Sequence, residues 1–338
     1  VTDLKPRGSV LETLRLSRGL TQVELAQATQ ISQATLSKVE SGAAPIDDER
    51  WQVLADVLQV PVSAFMSAAE EFGSVRVFHR KQKSTPKGAI KRIGADVALT
   101  QRRVGSILDT TRTTLTHHDL DGGFVTPQEV ALELRVELGL GMAPIADLID
   151  VVERTGATVV RWPLDSIQVD AIAAWPENAA PVILVGEHVG AERLRFTIAH
   201  ELGHAVMHRV EADDAQEKEA DAFAGEFLLP GAELRKEWPA DPTVESLTPI
   251  KRKWGISLSA LIRRAFDISI LTERDYRQWN IRLASSGMHR NEPHPLPAER
   301  PQALSNVIKQ RLEEGATVEE LADRAHMHAS EFTATFLE

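Results

Sequence analysis

Cysteine is absent from the 338 residues, which excludes disulfides, thiolate metal ligands and a cysteine nucleophile. Tyrosine occurs once, so any phenolic acid–base role falls to Tyr276. Long apolar runs are missing too: no window nears the roughly 18 residues of a membrane span, and the opening VTDLKPRGSV has no apolar signal core. The expectation is a cytoplasmic protein with no membrane contact. A basic excess is also lacking. The net charge of −11 argues against a large nucleic-acid-coating surface and leaves room only for a small local one. Apolar residues are plentiful at 43%, with 26% charged, too apolar for a disordered chain. At roughly 100–200 residues per domain, two or three domains with proper cores are expected.

Residues 8 to about 66 read as short helices. Val10, Leu11, Leu14 and Leu16 give the first an apolar stripe, stopped by Arg18-Gly19. Thr21 with Glu24 forms a capping box for the second. A third starts at Ser32 and stops at Ser41-Gly42, and a fourth runs from Asp48 to Leu58, closed by Pro61. Between Arg76 and Arg103 there are nine Lys/Arg and one acid, Asp96, with Ser84-Thr85-Pro86-Lys87-Gly88 as a breaker. This stretch reads as a solvated basic linker followed by a helix from about Lys91, and as a candidate phosphate-contacting extension.

From Pro127 the pattern changes to mixed α+β. Helices are expected at 127–140 and 144–154, strands at 157–162, 171–175 and 181–185, then helices at 191–208 and 215–229, ended by Pro230. Residues 232–285 are again helical. A Pro/His-rich break at 291–301 precedes a last short helical segment. There is one weak internal repeat: Gly19-x-Thr-x-x-Glu-Leu-Ala26 recurs as Gly315-x-Thr-x-x-Glu-Leu-Ala322, followed in each copy by an apolar residue at the turn, Ile31 or Met327. Two helix–turn–helix units would produce this, as would a common capped-helix pattern.

The strongest chemical signal is His200-Glu201-Leu202-Gly203-His204, inside an apolar helical stretch. Positions i and i+4 share a helix face, so both imidazoles reach one ion. Zn²⁺ suits such nitrogens, and Glu201 is placed to handle the proton of a water rather than to bind metal. A third protein ligand is needed from the next helix. Glu219 is favoured, with Glu217 and Asp221 as the other candidates.

These two helices resemble the ImmA/IrrE family of zinc peptidases, whose pattern is FTxAHELGHxxxH followed by ExEAxxFAxxLLxP, here Phe196 to His208 and Glu217 to Pro230. The resemblance spans roughly residues 127–235. It implies one Zn²⁺ per chain on His200, His204 and Glu219, with Glu201 as catalytic base. His208 matches a commonly occupied position, for substrate, for support of a ligand, or for packing. Relatives of the IrrE type follow the peptidase with an α/β sensor-like domain, whereas residues 232–338 here read as helical.

The first 66 residues resemble the Xre/lambda-repressor-like helix–turn–helix domain, through Leu14-Arg15-x-x-Arg18-Gly19-Leu20-Thr21-Gln22-x-Glu24-Leu25-Ala26 and Ile31-Ser32-Gln33-x-Thr35-Leu36-Ser37-Lys38-Val39-Glu40. The recognition helix would present Ser32, Gln33, Thr35 and Lys38 to a major groove. Gln33 suits adenine, and Gln22, Ser37 and Lys38 suit phosphates. Six Lys/Arg against eight acids in residues 1–66 give this unit a net charge of −2 and weak intrinsic affinity. A homodimer or the basic stretch would compensate.

The expected architecture is thus multidomain: an all-α helix–turn–helix domain at 1–70, a basic linker and helix at 71–126, an α+β zincin-like metallopeptidase domain at 127–235, and a mainly α-helical region at 236–338. The resemblance implies a zinc endopeptidase that binds operator DNA and cuts a helix–turn–helix repressor, releasing stress-response or mobile-element genes. The alternative is a non-proteolytic repressor or antitoxin-like regulator that binds a cognate toxin and uses the peptidase fold for sensing.

Overall fold

The computed structural model describes residues 8–66, 77–79, 87–108, 114–120, 122, 124–162, 170–174, 181–208, 213–288 and 291–337. Much of the expected linker, and Trp175 of an expected strand, lie outside them.

The N-terminal unit comprises α1 (Gly8–Ser17), α2 (Gln22–Thr29), α3 (Gln33–Glu40) and α4 (Asp48–Leu58), closed by a 3₁₀ turn at Val62–Phe65. Thr21 and Glu24 form the expected capping box on α2, and the Ser32 side chain caps α3. Leu11, Leu25, Leu36, Leu54, Leu58 and Phe65 are fully buried in one core.

A four-stranded sheet follows, built from β1 (Val77–His79), β2 (Thr158–Trp162), β3 (Ala171–Ala174) and β4 (Val182–Gly186) in the order β1-β3-β4-β2. β3 runs antiparallel to both neighbours, and β2 runs parallel to β4. β1 falls in the stretch expected to be linker: a three-residue edge strand is too short to leave a period in the sequence. Side chains alternate across the sheet. Val159, Ala171, Ala173, Ile183 and Val185 enter one core, and Val160, Ile172, Ala174, Val182 and Leu184 enter another.

The first of these cores is covered by α6 (Pro127–Glu137), α7 (Leu148–Glu153), α8 (Ala191–Met207), α9 (Asp214–Leu228), α10 (Gly231–Glu237), α11 (Val244–Trp254), α12 (Leu258–Asp267) and α13 (Glu273–Ser285). The second is covered by α5 (Lys87–Leu108), α14 (Ala303–Glu313), α15 (Val318–Arg324) and α16 (Ala329–Phe336).

α5 is no solvated connector along its described length. Val97, Val104 and Ile107 pack under the sheet, while Leu99 joins the N-terminal core. Asp96 accepts from Ser17 Oγ at 2.7 Å, and Arg102 donates to the Ala64 carbonyl at 2.9 Å. Five of the nine basic residues that suggested solvation, Lys87, Lys91, Arg92, Arg102 and Arg103, sit on this amphipathic helix, whose apolar stripe serves two cores; the other four lie outside the described residues. The segment 291–301, the Pro/His-rich break, is tied down by buried charge: Lys251 donates to Glu192, Glu292 and the Pro293 carbonyl. Glu299 pairs with Arg195 and accepts from the Leu148 and Ile149 amides at the start of α7.

Candidate metal centre

α8 carries the two histidines on a helix that is buried nearly throughout. The Asp213 side chain, accepting from the Ala215 and Gln216 amides at 2.9 Å, starts α9 so that Glu217 falls in its first turn. The helix dipole favours an anion there. The two helices approach closely because residue 203 lacks a side chain. A Cβ there would lie 2.9 Å from the Phe223 ring, so Gly203 lets that ring rest on the backbone of α8.

The Nε2 atoms of His200 and His204 lie 3.1 Å apart, and Glu217 oxygens lie 3.5 and 3.4 Å from them. Ligands held about 2 Å from a tetrahedral ion stand roughly 3.3 Å from one another, so this set fits zinc in size and chemistry. Glu217, not Glu219, is the carboxylate that faces both rings. Glu219 lies two residues on, about 200° around the helix, and its Oε2 contacts His208 Nε2 at 3.0 Å instead. Asp221, one turn beyond Glu217 on the same face, contacts His200 Nδ1 at 2.9 Å. His208 Nδ1 in turn meets His204 Nδ1 at 2.8 Å. Each candidate ligand histidine thus has its outer nitrogen engaged, the usual way of fixing a ligand ring.

Burial opposes charge on His200 most strongly, yet the hydrogen bonds to Asp221 and Glu217, with the Glu201 charge, carry it up to about 9. Burial dominates at His204 and His208 and lowers both. Burial would raise Glu217, but hydrogen bonds from His200 and His204 hold it far below the usual carboxylate range. Glu201 is buried beside this cluster, adjacent to His200.

The N-terminal unit offers a second surface. Ser32, Gln33, Ser37 and Lys38 are exposed on α3 or at its cap, and Thr35 is half-buried. The Ser32 hydroxyl is engaged locally, accepting from the Thr35 amide at 3.1 Å. Gln33 donates to Gln22 Oε1 at 2.7 Å, and Gln22 donates to Glu40 at 2.7 Å. Glu40 is held by Arg15 through contacts of 2.6 and 2.9 Å. A buried ion pair therefore positions an exposed amide through one intermediate.

Residues 11–65 match the helix–turn–helix family, and residues 152–266 match the IrrE N-terminal-like domain. The two matches follow one another in that order along the chain. The second match takes in α8 and α9 and continues through α12, beyond the two motif helices. No curated protein matches the chain.

On sequence alone Glu219 ranks ahead of Glu217; the i, i+4 spacing of Glu217 and Asp221 is the signal available for the reverse order. The Arg15–Glu40–Gln22–Gln33 chain crosses three helices and left no such trace.

Proposed function

We propose that this protein is a DNA-binding zinc endopeptidase, with a helix–turn–helix repressor as its protein substrate. The observation that carries this is the size of the His200, His204 and Glu217 triangle, which suits one tetrahedral zinc per chain. Bound there, zinc supplies Lewis-acid polarisation of a scissile carbonyl and makes a nearby water more acidic. To bind through Nε2, His200 and His204 must each keep a proton on Nδ1, where Asp221 and His208 stand to receive it. Glu201 takes the proton of the attacking water and returns it to the departing amine. Glu217 replaces Glu219 in the ligand set, and Glu219 supports His204 through His208. Gln33, Ser37, Lys38 and Thr35 face operator DNA, with Gln22 behind Gln33. The domain pair supports a regulator that meets DNA and a protein in one chain.

Glu201→Gln keeps shape and hydrogen bonding while removing the base. Cleavage of a co-expressed helix–turn–helix repressor should fall at least about 10²-fold with zinc retained. Undiminished cleavage would overturn the mechanism. If neither wild type nor variant cuts any regulator while both repress transcription, the protein is a non-proteolytic regulator.

A further inference from the structure

Residues 303–337 repeat the first three helices of the N-terminal unit at a constant offset. Thr317 and Glu320 form a capping box on α15 as Thr21 and Glu24 do on α2. Gly19 and Gly315 both take positive φ, and the turns are closed by equivalent bonds, Leu20 N to Arg15 O and Ala316 N to Arg311 O, each 3.0 Å. The turn into the third helix pivots on a left-handed residue in both copies, Gln30 (φ 58°) and His326 (φ 52°). Ile31 and Met327 follow, both buried, and Leu36 and Phe332 anchor the third helix at zero exposure. Agreement in the capping box, turn backbone and core positions at one offset identifies a second helix–turn–helix, although His328 lacks the side-chain cap that Ser32 gives α3.

The chemistry of its recognition helix is different. Gln33, Ser37 and Lys38 correspond to Ala329, Thr333 and Ala334, and Thr35 corresponds to Glu331. No cation remains on α16, and residues 303–337 hold three Lys/Arg against six acids. Such a surface cannot neutralise phosphates, the main source of DNA affinity. Glu331 has another partner. Its Oε1 lies 3.2 Å from an Arg18 nitrogen and 3.5 Å from an Arg103 nitrogen. Arg103 is buried, its guanidinium disfavoured by desolvation and supported by Glu331. Arg18 is itself fixed by donating to the Leu58 carbonyl at 2.9 Å.

We infer that the second helix–turn–helix has exchanged nucleic acid for protein: its recognition helix grips Arg18 of the N-terminal unit and Arg103 of α5 through Glu331. The DNA-reading unit is thereby clamped to the sheet of the metal domain, with the α3 surface left facing outward. The inference rests on the fold repeat and the ion-pair geometry, and stands whether or not the metal site cleaves anything.

Hydrogen exchange on the full chain tests the clamp. Glu331→Lys sets a third cation against Arg18 and Arg103, and exchange in 8–18 and 303–337 should accelerate by about tenfold. Adding Arg18→Glu to it should restore much of the protection. The isosteric Glu331→Gln, which keeps the fold, should give a smaller acceleration in the same two segments. Protection unchanged in both single variants overturns the clamp. The DNA arm uses a short mixed-sequence duplex at low salt. Ala334→Glu on α16 should leave binding within about twofold of wild type, whereas Lys38→Ala on α3 weakens it. If Ala334→Glu weakens binding as much as Lys38→Ala, α16 is a second DNA reader and the inference is wrong. If the wild type binds no duplex, the N-terminal DNA reading fails by itself and the exchange experiment still decides the clamp.

Discussion

The Nδ1 atoms of His204 and His208 lie 2.8 Å apart, and this contact ties the tautomer of one ring to that of the other. One nitrogen must donate and the other accept. A bare Nε2 on His204, as a ligand requires, puts its proton on Nδ1 and makes His208 the acceptor. His208 then carries its own proton on Nε2, 3.0 Å from Glu219 Oε2. His208→Ala should therefore lower zinc affinity about 10–100-fold in a folded protein. Chelator competition measures this, and unchanged affinity would show that His208 only fills space.

Glu217 and Glu219 of α9 separate in the same assay. Glu217→Ala removes the carboxylate that faces both Nε2 atoms, so the purified variant should not retain zinc through dialysis. Glu219→Ala should keep one zinc per chain with a weaker loss of affinity, since it acts through His208. The reverse pattern in metal content would restore Glu219 as the ligand.

Gly203→Ala tests the helix approach. The added methyl meets the Phe223 ring at 2.9 Å, and overpacking of this kind costs about 1–3 kcal/mol. The thermal midpoint should fall, and zinc affinity with it, because the displaced helix carries Glu217. A variant as stable as wild type would show that α9 can move without consequence.

At the DNA surface, Gln33→Ala should relax discrimination at one base pair by roughly 1–3 kcal/mol. Lys38→Ala should weaken all sequences alike and reduce the salt slope by about one. Gln22→Ala should reproduce part of the Gln33 effect, since Gln22 holds that amide in place. Selection from a randomised duplex pool, read at two salt concentrations, distinguishes the three.

His326 links stability to pH. Burial, the Arg102 charge and, more weakly, the Arg103 charge hold its pKa down to about 4, against the opposing charge of Asp323. Its folded value lies below the ordinary 6.5, so the unfolded chain binds the extra proton between those limits. Stability should be full above pH 6.5 and decline as pH falls toward 4, by at most about 3 kcal/mol from this group. His326→Asn, which tolerates the same left-handed backbone, should flatten that part of the profile in denaturant titrations.

The helix–turn–helix was readable because its signals are local: Thr21 with Glu24, Ser32 as a cap, and a stripe of Leu11, Leu14 and Leu25. His200 and His204 were readable for the same reason, four residues apart on one helix. Which of the candidates Glu217, Glu219 and Asp221 faces both rings was not, because the rotation of α9 against α8 depends on Phe223 settling over Gly203, a contact between helices. The repeat at Gly315 was visible in sequence, but only the matching turns and the buried Met327 and Phe332 separate a second helix–turn–helix from a capped helix. The role of α5 was hidden by composition. Nine basic residues over 76–103 suggested solvent, while Val97, Leu99 and Val104 divide between two cores.

The sheet owes one face to α5 and to residues 304–332, nearly two hundred positions later. During synthesis, at roughly 5–20 residues per second, that face has only α5 over it for roughly 6–24 s after β4 has been made. The N-terminal core, completed by Leu99, closes long before. Each nascent molecule therefore owns a finished helix–turn–helix while its sheet still has an open apolar side, and a ribosome stalled before residue 304 would release a chain able to fold its first unit and prone to aggregate through its second.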